Sequence, residues 1–303
     1  MSHLNKEAIA EGMNSLQKYI CDKLEQIDGV SLFNNDEWSR AEGGGGVTKI
    51  IQNGGVIEKG GVAFSAVHGP VTEMMQKQMN IGGTEFFATG VSIVLHPHNP
   101  HIPIIHMNVR YFELNDGTFW FGGGIDLTPH FIIESQAKLF HEGLKAICDK
   151  YNVNFYPKFK NWADDYFFIP HRNETRGIGG IFFDHLKIED ANLTKEEIFN
   201  FCIELGQNFP ILYNQQVELG INLPFTEKEI QWRNLRRGRY VEFNLVNDRG
   251  TKFGLVSNGR TESILMSLPA NASWEYNFQP EENSKEKQTL NLLIKGHSWL
   301  GSI

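Results

Sequence analysis

The sequence predicts a single α+β domain with a mostly antiparallel sheet. Alternating apolar and polar runs joined by hairpin turns dominate roughly the first 130 residues, and helical patterns dominate the remainder. Neither an internal repeat nor a linker divides the sequence, so we expect one domain over residues 1–303. Because 41% of the 303 residues are hydrophobic and 12% are aromatic, the chain can bury a large core.

An amphipathic helix is expected over residues 4–27, because apolar residues recur there at steps of three and four. These residues are Ile9, Met13, Leu16, Ile20, Leu24 and Ile27. Glycines then separate two β-like runs, residues 47–51 and 56–67. This pattern predicts the turns and bulges of a meander. A phosphate-binding loop is the alternative, but neither a Walker nor a GxGxxG spacing occurs.

Three further strands are predicted from alternation, over residues 86–95, 104–114 and 119–121. Asp116-Gly117 supplies the hairpin turn between the last two. On the middle strand, the period of two places His106, Asn108 and Arg110 on one face. An imidazole, an amide and a fixed cation therefore point the same way, and this face is the first candidate site.

Asp126 follows three glycines and precedes Leu127-Thr128-Pro129. The position is typical of a helix N-cap, so a helical region is expected from Asp126 to about residue 151. The alternative is a carboxylate base beside a cationic pocket. Another strand is predicted over residues 178–183.

Two capping boxes predict the starts of long helices. They pair Thr194 with Glu197 and Thr226 with Glu229. Pro210 is expected to kink or divide the first of these helices.

The C-terminal part predicts strands again before a closing helix. Alternating runs at residues 240–246 and 252–256 flank a turn at 248–250, and a helix is expected after residue 279. The arginines just before the first run are expected to form a solvated helix face or an interface. They are Arg233, Arg236, Arg237 and Arg239.

Charge and cysteine content exclude several classes of protein. A net charge of −8 argues against general nucleic-acid or membrane-surface binding. No apolar run of membrane-spanning length occurs and the first residues are polar, so neither a membrane span nor a signal peptide is expected. Cys21, Cys148 and Cys202 are far apart and lack CxxC spacing, which predicts buried free thiols in a reducing cytoplasm.

Histidines cluster in one segment that also carries a proline every third residue, which predicts polyproline II backbone. The four are His96, His98, His101 and His106. They could bind a metal with His141 and His171, act as general acids or bases, or bind carboxylates. Hydrogen-bonded or surface imidazoles are the alternative.

Four arginines lie beside glycine or short polar residues, where a guanidinium group can reach a carboxylate or phosphate. They are Arg110, Arg172, Arg176 and Arg260. In an acidic chain, this arrangement predicts a focused pocket for a polyanion. The alternative is a set of ion pairs with Asp164, Asp165 and Glu174.

Several long motifs resemble oxygen-dependent coproporphyrinogen III oxidase, in the same order along roughly residues 40–270. The motifs are His96-Pro97-x-Asn99-Pro100, His106-x-Asn108-x-Arg110-Tyr111-Phe112-Glu113, Phe121-Gly122-Gly123-Gly124-x-Asp126-Leu127-Thr128-Pro129, His171-Arg172-x-Glu174-x-Arg176-Gly177-Ile178-Gly179-Gly180, Tyr240-Val241-Glu242-Phe243-Asn244 and Gly259-Arg260-Thr261-Glu262-Ser263.

The resemblance implies a haem-biosynthesis enzyme that converts the ring A and B propionates of coproporphyrinogen III to vinyl groups, giving protoporphyrinogen IX. O₂ is consumed and CO₂ is released. It also implies a large flat sheet between helices and a homodimer whose contact lies between Tyr240 and Glu275. The reduced tetrapyrrole can itself supply electrons to O₂, so no organic cofactor is expected.

The resemblance also implies roles for particular residues. His106 matches the proton donor. Positions matching substrate contacts are Ser92, Asn108, Val109, Arg110, Asn258, Gly259 and Arg260, to which the arginine pattern adds Arg172 and Arg176. The histidines matching proposed metal positions are His96, His106, His141 and His171, with Mn²⁺ as the expected ion and its requirement open. Our hypothesis for Asp126 is that it deprotonates or polarises a pyrrole N–H.

Two other functions stay open: a histidine-ligated metal oxygenase and a non-catalytic tetrapyrrole carrier. Four positions also depart from the family pattern. They are His98, Ile104, Asn258 and His185, where arginine, threonine, glycine and aspartate are expected.

Overall fold

The computed structural model describes residues 4–256 and 259–301, so Asn258 lies outside the described residues. Within these ranges, seven strands form one antiparallel sheet in the order β1-β2-β3-β4-β5-β6-β9. The strands are β1 Asn34–Ser39, β2 Gly44–Gln52, β3 Ile57–Pro70, β4 Glu85–Pro97, β5 Ile104–Leu114, β6 Phe119–Thr128 and β9 Gly179–Leu186, and the short pair β7 Phe168–Ile169 and β8 Glu174–Thr175 lies apart.

The helices that accompany this sheet are α1 Lys6–Asp28, α2 Glu73–Met79, α3 Glu134–Asp149, α4 Phe155–Tyr166, α5 Ile188–Ala191, α6 Lys195–Gly220, α7 Glu227–Glu242, α8 Arg249–Val256, α9 Thr261–Leu265 and α10 Lys285–Leu292. Helices α1, α3, α4 and α6 pack on one side of this sheet and parts of α2 and α7 pack on the other, which confirms the predicted α+β class. A π-helical turn, Phe243–Asn247, joins α7 to α8.

One face of the sheet, which we call the closed face, carries the main core. A fully buried apolar row crosses five strands at Val62, Ile93, Met107, Ile125 and Ile181. Helices α1 and α6 pack on this row, and α3 and α4 pack beside them.

The opposite face, which we call the open face, carries small and polar side chains in its middle and apolar clusters at its two ends. Successive side chains of a strand point to opposite faces, and residues paired across strands share a face. The row of paired residues next to the apolar row therefore points to the open face. It runs through Thr48, Ala63, Ser92, Asn108 and Gly124. The segment after α8 covers part of the open face, where Lys59 donates to the Leu268 carbonyl and Thr48 bonds Ser263.

Both predicted capping boxes are confirmed, at the starts of α6 and α7. Helix α6 runs unbroken through Pro210, so the expected division is wrong. A proline inside a helix costs about 3 kcal/mol. Here buried residues along the whole length of α6 hold it against the sheet, which offsets that cost.

The predicted strands near the C-terminus are also wrong, because residues 240–246 and 252–256 are helical. The apolar side chains that produced the alternation are partly exposed rather than buried in a sheet. They are Leu245, Val246, Leu255 and Val256. The alternation of apolar residues in these two runs therefore does not reflect burial in the core of this chain.

The arginines of α7 do not form a solvated face: Arg233, Arg236 and Arg237 are buried. Arg237 pairs with Glu58 and donates to the Pro97 carbonyl at 2.7 Å. Burial, with Arg233 nearby, lowers the pKa of Arg237 to about 10. These side chains tie α7 to the end of β4.

The histidine- and proline-rich segment is a turn rather than polyproline II. The Ile102 N–H donates to the Asn99 carbonyl at 3.1 Å, closing the chain back on itself. The Asn99 side chain also donates to the Gly220 carbonyl, which fixes the turn against the end of α6.

The prediction of free, buried thiols is confirmed for Cys21, Cys148 and Cys202. Among the described residues, no helix combines the length and apolar character needed to cross a bilayer.

Candidate active site

A chain of three side chains, His106, Asp126 and Arg176, links the open face to the protein interior. His106 Nδ1 lies 2.8 Å from Asp126 Oδ1, and Arg176 Nη2 lies 2.6 Å from the same oxygen. Arg176 Nε reaches Oδ2 at 3.2 Å. A carboxylate only accepts hydrogen bonds, so His106 donates through Nδ1, which leaves Nε2 as the nitrogen for other chemistry.

Arg176 lies in an aromatic box. Its guanidinium carbon is 4.4 to 4.7 Å from the ring centres of Phe167, Tyr240 and Phe243. Its Nη1 donates to Asn244 Oδ1 at 3.0 Å. Both Phe243 and Asn244 belong to the π-helical turn, which brings them to this cation. π-helical turns are often found at functional sites.

Asp126 stays ionised despite its burial. Burial alone raises the pKa of its carboxyl, but the Arg176 guanidinium and the His106 imidazole outweigh that effect and hold the pKa below its ordinary value. The Asp126 side chain is 1% exposed, whereas that of His106 is 22% exposed. Of these three side chains, His106 is therefore the one that is accessible from the open face.

The expected N-cap role of Asp126 is wrong. Asp126 lies inside β6, paired with His106 on β5 and Gly180 on β9, and the following helix begins only at Glu134. The three glycines before Asp126 continue the strand instead of ending it, because they lie beside the close-packed backbones of β5 and β9.

Beside His106, the open face is a floor of small residues. The row after Ser92 and Asn108 passes through Ser65, Gly90, Arg110 and Gly122. A Cβ at Gly90 would come within 2.5 Å of the Val109 carbonyl oxygen, so no larger residue fits without moving the backbone. Gly90, Gly122 and Gly124 leave space between the side chains of this part of the sheet.

The alternation of β5 predicts His106, Asn108 and Arg110 on one face, and the structure brings them together there. Arg110 Nη1 donates to Asn108 Oδ1 at 2.7 Å, and its Nη2 lies 2.9 Å from Asp184. Ser92 stands directly opposite Asn108. These positions form one continuous surface.

Val109 occupies a different place. Its side chain is fully buried in the core on the closed face, between the paired residues Val91 and Gly123. Only its main chain borders the floor.

Each predicted anion-binding arginine already holds an acidic partner. Arg110 pairs with Asp184, Arg176 with Asp126, Arg172 with Glu242 and Arg260 with Asp36. The carboxylates expected from the sequence pair elsewhere: Asp164 with Lys160, Asp165 with Lys295 and Glu174 with Arg236.

Arg172 belongs to a cluster at the edge of the molecule. Glu242 accepts from Arg172 at 2.6 Å and from the His171 imidazole and the Trp274 indole, each at 2.9 Å. Although burial raises the pKa of Glu242, these donors lower it to about 2. Arg172 and His171 are therefore engaged with Glu242 rather than with the floor.

Arg260 lies at the opposite end of the open face from Arg110. It reaches Asp36 on β1 at 2.6 Å and Ser263 at 3.2 Å. Gly259, just before it, donates from its main chain to the Gly254 carbonyl at 2.8 Å. The two arginines bracket the floor across the strands.

The four histidines expected to bind a metal lie in four different environments. His96 is buried with Nε2 against the Ser267 carbonyl, and His106 is held by Asp126. His141 is buried behind the closed face, with its two nitrogens on Tyr156 and Ile178, and His171 is at the edge. Within residues 4–256 and 259–301, no three histidine, cysteine or acidic side chains are grouped to hold a metal. This donor set does not fit a shared ion.

The partners that complete the site were not predicted from the sequence: Asp36, Asp184, Tyr240, Glu242 and Asn244. The acidic partners lie 70 or more residues from their arginines, and no local pattern marks them. Tyr240 and Asn244 did carry a signal, because their spacing of four matches one helical face. That signal was lost when the segment was interpreted as a strand.

The family model and the known proteins that this chain is similar to all point to the same family. Residues 8–299 match the family model described as coproporphyrinogen III oxidase. The chain is 49% identical over 298 residues to the human oxygen-dependent coproporphyrinogen-III oxidase, mitochondrial, covering 94% of this chain and 65% of that protein. It is 45% identical over 303 residues to coproporphyrinogen-III oxidase 1, chloroplastic, of Arabidopsis thaliana, covering 95% and 78%.

The mouse mitochondrial enzyme is 48% identical over 298 residues, covering 94% of this chain and 66% of that protein. The chain thus spans about two thirds of the length of these mammalian relatives. Because the family model extends over nearly the whole sequence, the chain belongs to the coproporphyrinogen III oxidase family.

Proposed function

We propose that this protein carries out the aerobic oxidative decarboxylation of coproporphyrinogen III to protoporphyrinogen IX in haem biosynthesis. In each of two rounds, a propionate becomes a vinyl group as its carboxyl leaves as CO₂. O₂ accepts two electrons, one proton from the propionate β-carbon and one proton from solvent, and becomes H₂O₂, which balances the reaction. The observation that carries the proposal is the floor of glycines and small side chains between Arg110 and Arg260, with His106 at its border.

The shape of the floor suits a flat macrocycle. From Gly46 on β2 to Gly122 on β6, the floor crosses five strands, which corresponds to about 19 Å at the usual strand spacing. Small side chains such as Ala63 and Ser92 let a planar ring approach the sheet closely. A bulky residue in these rows would hold it away.

Charge supports a substrate with several carboxylates. Arg110 and Arg260 are each about one third exposed, and their partners Asp184 and Asp36 are also partly exposed. A propionate can therefore join or replace the aspartate on either guanidinium, at modest cost for partly solvated pairs. Arg176 is buried under its aromatic box and Arg172 is held at the edge, so we assign direct propionate contacts to Arg110 and Arg260.

The geometry changes the role expected for Asp126. Its two oxygens are occupied by Arg176 and His106, and its lowered pKa makes it a weak base. We therefore assign proton transfer at the substrate to His106 Nε2. Asp126 is a positioning residue that fixes the imidazole orientation and stabilises its protonated form, as a buried aspartate does in other dyads.

We assign no step to a divalent ion, Mn²⁺ included, because the histidines do not form a common donor set. We also assign no organic cofactor: O₂ is the co-substrate and the reduced tetrapyrrole supplies the electrons. A metal-dependent oxygenase and a tetrapyrrole carrier remain the alternatives for experiment to decide.

The deciding experiment is aerobic incubation with coproporphyrinogen III, with and without a strong chelator. We expect O₂ uptake, CO₂ release and vinyl product in both samples. If turnover is lost when metal is removed and is restored by Mn²⁺, the result would favour a metal-dependent oxygenase. Binding without CO₂ release would favour the carrier.

The region between Tyr240 and Glu275 supports a homodimer as part of this proposal. Apolar side chains are concentrated there at the surface: Leu245, Val246, Leu255, Val256 and Trp274. A second copy of the chain would remove them from water.

The dimer can be tested with Val246→Glu, which we expect to shift the sedimenting species from dimer to monomer. Leu219→Glu, at a similarly exposed apolar position outside this region, is the matched control. A wild-type monomer at micromolar concentration would contradict the assignment.

The three free buried thiols support the expected cytoplasmic location.

A further inference from the structure

The edge of the floor next to Arg110 contains a β-bulge. Phe121 pairs with Leu186 and Gly123 pairs with Phe183, so Asp184 and His185 together oppose the single residue Gly122. β-bulges often lie next to active sites, where they re-aim side chains.

His185 has a backbone φ of 49°, in the left-handed region. A residue with a Cβ costs roughly 1–2 kcal/mol in that region, so a strand tolerates it only for a reason. Non-glycine strain of this kind is concentrated at ligand and active sites. The conformation here lets consecutive side chains of the bulge reach the same end of the floor.

The side chains of the bulge surround Arg110. Asp184 lies 2.9 Å from Arg110 Nη2 and 3.6 Å from His185 Nδ1. The His185 ring stacks on Trp120 with centres 4.7 Å apart and planes 16° apart. Its side chain is still 52% exposed, so one edge of the imidazole faces solvent beside the Arg110–Asp184 pair.

Gly122 leaves room for this arrangement. A Cβ at that position would lie 2.7 Å from Asp184 Oδ1 and 2.8 Å from Arg110 Nε. The missing side chain therefore lets the ion pair lie directly over the strand. His185 Nδ1 lies beside the Asp184 carboxylate, whereas across residues 4–256 and 259–301 no hydrogen bond engages Nε2, which is available to a ligand.

We propose that His185 is a further substrate-binding residue, which takes one carboxylate of the tetrapyrrole together with Arg110. The Trp120 stack orients the imidazole, and Asp184 keeps Arg110 in place when no ligand is bound. This inference rests on the proposed function for the identity of the substrate. It adds a specificity-determining residue at a position where this chain departs from the aspartate expected from the family pattern.

The test compares His185→Asn and His185→Asp with wild type. Asparagine also tolerates the left-handed region, so the bulge is kept while the imidazole is lost. For coproporphyrinogen III, we expect His185→Asn to raise KM about three- to ten-fold, with kcat within about two-fold and Tm unchanged. His185→Asp should raise KM further, because it adds a carboxylate beside Asp184.

Binding of coproporphyrin III, the oxidised tetracarboxylate that cannot react, separates this inference from the proposed function. Its affinity should fall in both variants, and the affinity of its uncharged tetramethyl ester should not. If wild type binds coproporphyrin III but does not turn over coproporphyrinogen III, the proposed function fails while the His185 contact stands.

His68→Asn is the matched control, because His68 is an exposed histidine at the far end of β3. It should leave both affinities unchanged. Wild-type affinity for coproporphyrin III in both His185 variants would overturn the inference. So would a fall in Tm that accounts for the weaker binding, since that would indicate a structural role.

Discussion

The two faces of the central sheet use the same strands for different purposes. On β5, Met107 is fully buried against apolar neighbours, whereas the adjacent His106 and Asn108 face a floor of glycine, alanine and serine. Hydrophobic packing on the closed face stabilises the sheet. Polar groups on the open face are held by hydrogen bonds and ion pairs. On β5, stability and chemistry are therefore separable between neighbouring residues.

The largest expected effect comes from breaking the site on the open face. Asp126→Asn and His106→Asn should each lower kcat about 10²- to 10⁴-fold, because proton transfer needs an oriented imidazole. Only Asp126→Asn removes the counter-charge of buried Arg176, so it alone should also cost about 3–5 kcal/mol of unfolding free energy. Single-turnover product formation and urea unfolding measure the two effects.

Binding provides the control for this pair. Coproporphyrin III should still bind both variants, because Arg110 and Arg260 are untouched. Normal turnover by Asp126→Asn would remove Asp126 from the mechanism.

The next largest effect compares the adjacent residues Met107 and Asn108. We expect substitution of the first to lower stability and substitution of the second to raise KM. Met107→Ala should cost about 2–5 kcal/mol of stability by leaving a cavity, with little change in KM. Asn108→Ala should change stability by less than about 1 kcal/mol, but raise KM by freeing the Arg110 side chain that it orients. Denaturant unfolding and steady-state kinetics on both variants test the comparison. Equal stability losses would show that the faces are not separable.

The sequence predicted the closed face better than the open one. Alternation and helical periodicity located α1, β5 and the capping boxes, because local spacing records which side of an element is buried. It also placed His106, Asn108 and Arg110 together. It failed at Asp126, where glycines that permit close strand packing look the same as glycines that end a strand.

The ion-pair partners were beyond the reach of local patterns. Asp36 and Arg260 are 224 residues apart, and Arg172 and Glu242 are 70 apart. Nothing in the spacing of either residue encodes the other, because the fold alone brings them together. The burial of the α7 arginines was likewise not predictable from local patterns. Helix α7 has the composition of a surface helix, but Arg233 and Arg237 donate to main-chain carbonyls.

A smaller effect should be seen in the pH dependence of stability. Burial lowers the pKa of His141, behind the closed face, to about 3 from an ordinary value of 6.5. The folded protein then keeps His141 neutral where the unfolded chain is protonated. Its contribution is fully present above pH 6.5 and is lost as pH falls toward 3.

Between about pH 6 and pH 4, this histidine should add about 1.4 kcal/mol per pH unit to the acid loss of stability. His141→Gln should be less stable at pH 7 but show a shallower slope. Urea unfolding at several pH values measures it. An unchanged slope in the variant would show that His141 is not the titrating group.

The smallest expected effect tests the floor itself. Gly122→Ala places a Cβ against the flexible ends of Asp184 and Arg110, which can move aside. We expect KM to rise by up to about ten-fold, which corresponds to about 1.4 kcal/mol, while folding is retained. Gly82→Ala, at an open loop position, is the control. An unchanged KM would mean that the substrate does not use this end of the floor.

The order of the strands has a consequence for synthesis of the chain. Strands β1 to β6 follow one another and pair as successive hairpins, so most of the sheet can assemble while later residues are still being added. Arg176 lies 50 residues beyond Asp126, and Asn244 lies 68 residues beyond Arg176. Until they arrive, the Asp126 carboxylate that orients His106 has no cationic partner. A ribosome-bound intermediate would therefore hold the scaffold without the chemistry, and activity would begin only when the C-terminal helices dock.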